Sequence, residues 1–373
     1  MRFSTLILRN LMRRGVRTAL TVLGLCVGVS AVVSLLGISW GFEHSFMTIY
    51  ETKGIDLVIV KARVDRLTSN LDESLEGKIA AVAGVEGVVG SLTEVVSFED
   101  ANLVSVLVNG WRPGSRLFRG IRVLEGRSIG DGAKKEAMLG RVLALNLKKK
   151  TGDPLQVAGE PFTVVGIYES DSLFENGGLI VPLKELQRMM GREGDVSGFV
   201  VSAKERDLKQ VEALGKRIEA AVPGVAAVPA RDFVQGDNQI RLVKAMAWAT
   251  SVIAMVLGSV GVLNTMLMTV FERTREIGIL RALGWRRTRV LSLVLGEATL
   301  LGLSGAVLGS VLGYVGVKLL ALSPMASIFI NANLPWSVLG IGILLGLALS
   351  LAGGLYPALH AASLDPTEAL RHE

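Results

Sequence analysis

Three stretches of this chain carry almost no charge, and they limit its possible folds more than any other feature of its 373 residues. Residues 18–42 hold none between Arg17 and Glu43, and residues 245–271 none between Lys244 and Glu272. From Arg289 to His360 only Glu297 and Lys318 occur. About 20 apolar residues cross a bilayer, so the last stretch holds two spans. Ser323-Pro324 and the run Asn331 to Pro335 supply the turn between them. A mean hydropathy of +0.47 with 50% hydrophobic residues agrees. The fold class predicted is an α-helical membrane protein with four transmembrane helices, at 18–41, 245–270, 295–320 and 334–356. A large hydrophilic domain, residues 43–244, separates the first two. The first run is too long for a signal-peptide core and ends without an Ala-x-Ala site.

Charge gives the orientation. Arg2, Arg9, Arg13, Arg14 and Arg17 precede the first helix, and six arginines between Arg273 and Arg289 follow the second. Lys and Arg are retained on the cytoplasmic side, which puts both termini in the cytoplasm and residues 43–244 outside. That block carries 27 bases and 28 acids and is nearly neutral. The basic balance therefore belongs to membrane flanks, and a nucleic-acid partner, which requires a basic patch on a folded surface, is not expected. Within residues 1–17, Phe3, Ile7, Leu8, Leu11 and Met12 share one helical arc opposite Arg2, Arg9 and Arg13. This fits a cytoplasmic amphipathic segment lying on lipid, the alternative being a basic flank with no defined pose.

Between the second and third spans, residues 272–289 read as a docking helix. Glu272, Arg273, Arg275, Glu276 and Arg281 interleave with Ile277, Ile279, Leu280 and Leu283 at helical spacing, and Gly284 ends the run. Such a mixed face suits a protein groove. An ordinary positive-inside loop is the alternative, but that rule has no use for two glutamates or an apolar stripe.

The hydrophilic block alternates strand-like and helical runs. Ile55 to Lys61, Val85 to Val96, Leu103 to Asn109, Gly198 to Ala203 and Val225 to Val228 read as strands. Leu71 to Ala83 and Lys204 to Ala221 read as helices. Two βαβ-like halves separated by an insertion at about 111–190 suggest a porter-like α+β sandwich carrying a β-rich subdomain.

In the membrane, Gly302, Gly305, Gly309, Gly313 and Gly316 line the third span and Gly24 and Gly28 the first. Small residues four apart permit close helix approach, either in a dimer seam at Gly24, Gly28, Gly258 and Gly261 or in packing within the bundle. Glu297 is read as a structural ion pair or a solvated helix end, with an ion or proton site as the alternative. Cys26 has no disulfide partner. No Gly-x-x-x-x-Gly-Lys-Ser/Thr loop occurs, and His44, His360 and His372 fit neither metal-ligand spacing nor a nucleophile constellation. No catalytic residue, metal or cofactor is assigned to this chain.

The run Glu272 to Gly284 and the tail Tyr356-Pro-Ala-Leu-His-Ala-Ala-Ser-Leu-Asp-Pro-Thr-Glu-Ala-Leu-Arg371 resemble the two signatures of the FtsX/MacB-type ABC transporter permeases. Arg17 to Gly28 resembles the family's first helix. Gly126-Arg127, Leu139-Gly140 and the span from Thr151-Gly-Asp to Val164-Val-Gly-Ile167 resemble its periplasmic core domain. The resemblance implies a homodimer or paired permease whose subunits are clasped by a cytoplasmic ABC ATPase, the ATP and Mg being held by that partner. Its closure would be transmitted mechanically to the periplasmic domains, with an adaptor or membrane fusion protein outside. Glu272, Arg273, Arg275, Glu276, Ile279, Leu280, Arg281, Leu283 and Gly284 would form the coupling helix. With no ATPase domain fused to it, the chain is similar to stand-alone permeases and the LolC/LolE pair. The function expected is export or extraction of a lipophilic or peptide substrate, the alternative being an FtsX-like signalling module that activates a cell-wall hydrolase.

Overall fold

The computed structural model describes residues 15–365 apart from 65–68, 102, 237, 324–325, 327–329 and 331–332, and apart from the side chains of Asp100 and Gln239. The amphipathic reading of residues 1–14 and the end of the tail, 366–373, lie outside the described residues. Among the described residues four helices are long and apolar enough to cross a membrane: Gly15–Lys53, Ile240–Glu272, Arg287–Leu320 and Trp336–Ser363. The chain forms two compact units, a helical one and a mixed α/β one comprising residues 41–241 and 320–331.

The first helix, α1 (Gly15–Lys53), is longer than its membrane segment. Its 39 residues make about 58 Å, roughly twice the thickness of a hydrocarbon core. The helix continues past the predicted end at residue 41 because residues 42–53 contain no Gly or Pro to stop it.

The mixed unit then runs β1 (Leu57–Lys61), β2 (Leu71–Asp72), α2 (Leu75–Ala80), β3 (Val85–Phe98), β4 (Leu103–Trp111), β5 (Arg122–Gly126), β6 (Glu136–Gly140), α3 (Arg141–Leu147), β7 (Pro154–Val157) and β8 (Glu160–Glu169). It continues with α4 (Leu173–Asn176), β9 (Leu179–Pro182), α5 (Leu183–Met189), β10 (Asp195–Val196), β11 (Gly198–Ala203), α6 (Leu208–Ala221), β12 (Val225–Pro229) and α7 (Ala230–Gln235). The sheet order is β12-β1-β11-β3-β4-β9-β6-β8-β5, with β7 on β8. Its first four strands are wholly antiparallel and interleave the two halves, β1-α2-β3 and β11-α6-β12. That is the split βαβ arrangement, in which each half supplies the neighbour the other lacks.

The predicted insertion at about 111–190 needs correcting at its start. β3 is 14 residues long; Val85 to Ser91 pair with β11, and Leu92 to Phe98 pair with β4. The second half of β3 extends past the end of β11, and β4 satisfies its backbone groups. The insertion therefore begins at Leu103 and continues the same sheet. The helix expected at Leu71 to Ala83 is also shorter, since Leu71–Asp72 pair instead with Asp195–Val196.

Strands read as unbroken apolar runs where both faces are covered. In β1, Leu57 and Ile59 enter one core beside Ile79, Leu214 and Ile218, while Val58 and Val60 enter another beside Trp111, Tyr168 and Ile180. The end of α1 is held within this unit. Phe42 meets Phe174 edge-to-face at 4.8 Å and Phe46 meets it at a tilt at 4.0 Å between centroids, and the Leu173 amide donates to Ser45 Oγ at 2.8 Å, satisfying a free donor at the start of α4. Lys53, 1% exposed, pairs with Glu175 at 3.0 Å, donates to the carbonyls of Leu117 and Arg119, and stands 4.7 Å from the Trp111 ring. The Tyr168 hydroxyl donates to the Glu175 carbonyl at 2.6 Å. Burial holds that phenol well above its ordinary pKa, so it donates as a neutral group.

The helical unit contains α8 (Asn238–Glu272), α9 (Thr274–Ala282), α10 (Arg287–Leu320) and α11 (Trp336–Ser363). α11 continues through Pro357, past the predicted end at residue 356. Most glycines of the third span serve packing within this chain. A Cβ at Gly309 would stand 2.6 Å from the Cys26 carbonyl oxygen, and one at Gly305 2.6 Å from Leu25 Cβ. Only a glycine lets α1 and α10 approach that closely.

Candidate functional site

At the arginine-rich end of the helical unit, α9 is a helix of nine residues between two spans. It is much shorter than the predicted 272–289, and its stop is visible in the backbone. Gly284 has φ +93°, with the Gly284 amide on the Arg281 carbonyl at 3.0 Å and the Trp285 amide on the Leu280 carbonyl at 3.1 Å. These two bonds are the Schellman closure, which needs a left-handed residue just after the helix. A side chain there costs about 1–2 kcal/mol. α10 then starts at Arg287.

The predicted coupling residues divide into two groups. Arg275, Glu276, Ile279, Leu283 and Gly284 are exposed, Ile279 by 43% and Leu283 by 75%. Leu280 is half-buried, and Ile277, the first residue of the predicted apolar stripe, is buried, as is Gly278. Ile277 joins a core of Val270, Val290, Val294, Ala358, Ala361 and Ala362 that gathers α8, α9, α10 and α11.

The other charged residues of the predicted set make bonds within the chain. Glu272 is the last residue of α8, and both its oxygens accept from Arg17 of α1, at 2.9 and 3.0 Å. One helical level further in, Thr21 and Thr265 hydroxyls meet at 2.9 Å. Arg273 turns inward. Its Nε donates to Glu276 and its Nη1 to Glu297 of α10, each at 2.9 Å. Glu297 is 3% exposed, so the lone acid of the third span is one half of a buried ion pair. Arg281 Nη1 donates to the Ala362 carbonyl near the end of α11 at 3.4 Å, satisfying one of that helix's orphan acceptors. Helical periodicity identified the surface but not its inward-facing members. The signal that could have found them is that Arg17, Glu272, Arg273 and Glu297 all border uncharged segments, where an unpaired charge is expensive.

The glycine seam also divides. A Cβ on Gly28 would stand 3.5 Å from the Ala254 carbonyl oxygen and one on Gly258 3.7 Å from Leu25, both contacts inside the chain between α1 and α8. Gly24 and Gly261 face open space, each on an exposed apolar stripe, with Leu20, Leu23 and Val27 on α1 and Val256, Leu257 and Val260 on α8. Among the described residues no group of His, Cys, Asp and Glu is placed to hold a metal.

The profile of the MacB-like periplasmic core domain matches residues 18–240, and that of the FtsX-like permease C-terminal region matches 248–366. The chain is an ABC transporter permease of the MacB/FtsX type. It is 26% identical over 399 residues to the uncharacterized ABC transporter permease MJ1507 of Methanocaldococcus jannaschii, covering 99% of this chain and 97% of that one. To the uncharacterized ABC transporter permease YknZ of Bacillus subtilis it is 26% identical, with 98% of each chain covered. It is 29% identical to the macrolide export ATP-binding/permease protein MacB of Nitrobacter winogradskyi over 95% of this chain but only 58% of that protein. Solved structures similar to it include the extracellular domain of YknZ from Gram-positive bacteria, with TM-score 0.37, 19% identity and coverage of 47% of this chain and 98% of that domain. The periplasmic region of MacB from Actinobacillus actinomycetemcomitans gives TM-score 0.38 at 14% identity, covering 49% of this chain and 94% of that region.

Proposed function

We propose that this permease is the subunit through which a separate cytoplasmic ABC ATPase drives a periplasmic domain, exporting or extracting a lipophilic or peptide substrate with an adaptor protein. The partner would hold ATP and Mg, with none bound here. Both termini and α9 would lie in the cytoplasm, as the arginines flanking the spans favour. The observation that carries this reading is the outward face of α9. Ile279 and Leu283 are apolar anchors beside the charges Arg275 and Glu276, on a short helix tied to α10 and α11 by Arg273 at its start and by Arg281, whose side chains point the other way. Apolar anchors within a charged rim are the composition of a protein groove's ligand. The test is to purify the tagged chain from its native membranes. The complex is expected to hydrolyse ATP, and the chain stripped of its partner to hydrolyse none; robust turnover by the stripped chain would contradict the assignment.

The subunit would work as a homodimer or beside a related permease, with lipid around the remaining faces. The open stripes at Gly24 and Gly261 support a seam there. In a Cys26→Ser background, Gly24→Cys and Gly261→Cys are expected to form crosslinks between copies under mild oxidation, and Gly28→Cys and Gly258→Cys none. An intersubunit crosslink from position 28 with none from 24 would move the seam.

A further inference from the structure

Arg273 spans two environments with one planar group. Its Nε holds Glu276, whose side chain is 55% exposed on the face of α9, and its Nη1 holds Glu297, whose side chain is 4% exposed within α10. Arg273 itself is 13% exposed. The three side chains thus form an unbroken line of charge-assisted hydrogen bonds from the surface of the short helix into a membrane helix. Apolar packing such as that of Ile277 resists separation but permits sliding. A guanidinium held by two carboxylates fixes direction as well as distance.

We propose that Glu276, Arg273 and Glu297 form a positioning relay that transmits displacement of α9 to α10, in which Glu276 is the end the partner touches while Arg273 and Glu297 lie behind the docking face. This rests on the coupling role proposed above for α9. A partner that engages the exposed face pulls on Glu276 and Arg273, and Glu297, buried on α10 and bonded to Arg273, passes the pull to that helix. The relay predicts that binding and transmission separate: removing Glu297 leaves Ile279 and Leu283 in place and takes away the directional tie between Arg273 and α10.

The test uses the full complex of tagged chain and co-purifying ATPase, with Cys26→Ser and a nitroxide at Leu319→Cys. Leu319 is exposed at the far end of α10, about 33 Å along the helix from Glu297. In the parent complex, trapping with ATP and vanadate is expected to change the mobility of the label. With Glu297→Gln, the ATPase should co-purify within twofold of the parent and still hydrolyse ATP, while the change at residue 319 falls at least fivefold. An undiminished change at residue 319 would overturn the relay. So would loss of the ATPase from Glu297→Gln, since the pair would then merely shape the docking face. Should Glu297→Gln not accumulate in membranes, Arg273→Lys decides by the same two readings. It keeps the positive charge but cannot grip both carboxylates, and a full response in it overturns the relay. If the parent chain retains no ATPase, the coupling role of α9 fails first.

Discussion

Replacing Glu175 with alanine is expected to destabilise the mixed α/β unit by about 3–5 kcal/mol, the usual cost of leaving one member of a buried ion pair without its partner. Lys53 is 1% and Glu175 5% exposed, and the pair sits where α1 enters that domain's second core. The ammonium would retain the carbonyls of Leu117 and Arg119 and the Trp111 ring, which stabilise a cation but cannot neutralise it. For a domain of about 200 residues this converts to a midpoint roughly 10 °C lower. The measurement is thermolysin cleavage within residues 103–189 of the solubilised full chain at stepped temperatures. Lys53→Met with Glu175→Leu should recover most of the loss, because well-packed apolar residues often replace a buried pair at little cost. A midpoint for Glu175→Ala within about 2 °C of the parent, on the same conversion, would show that the pair contributes little.

That pair also marks where sequence reading ran out. Lys53 is one of 27 bases in a neutral block, and nothing local distinguishes it. Its partners lie at 111, 117, 119 and 175, brought together only by the sheet. The four membrane helices were legible because a bilayer requires long uncharged runs. The β11-α6-β12 half was legible because its period changes cleanly from 2 to 3.6 and back. The boundary of the insertion was not. β3 and β4 are equally apolar on both sides of the point where their pairing changes, and register is a tertiary property.

The segment 272–284 was legible as a helical run ending at Gly284, while the bonds its charges make within the chain were not. Alternation of acids and bases along 272–281 resembles a solvated face, yet Glu272, Arg273 and Arg281 each reach a neighbouring helix. The two readings differ only in what lies beside the segment in space. Gly284 is the exception. A lone glycine after an amphipathic run is a stop signal from sequence alone, and its φ of +93° is the physical reason.

The division of the segment sharpens what mutagenesis can show. Arg281→Glu would put a carboxylate beside the Ala362 carbonyl and disturb the end of α11, so it does not probe docking cleanly. Ile279→Asp with Leu283→Asp alters only exposed positions and leaves the three inward ties in place. If those residues are the anchors of the interface, each loss is worth about 2 kcal/mol or more, and the pair should weaken ATPase binding by about a thousandfold. The most direct test of the coupling assignment is therefore ATPase co-purification with the Ile279→Asp, Leu283→Asp chain, alongside Lys209→Ala on the mixed α/β unit as a control. The expected result is normal membrane levels of both chains, an ATPase retained by the control, and none retained by the double variant. Full retention by the double variant would contradict the assignment and return Thr274–Ala282 to the status of a positively charged loop.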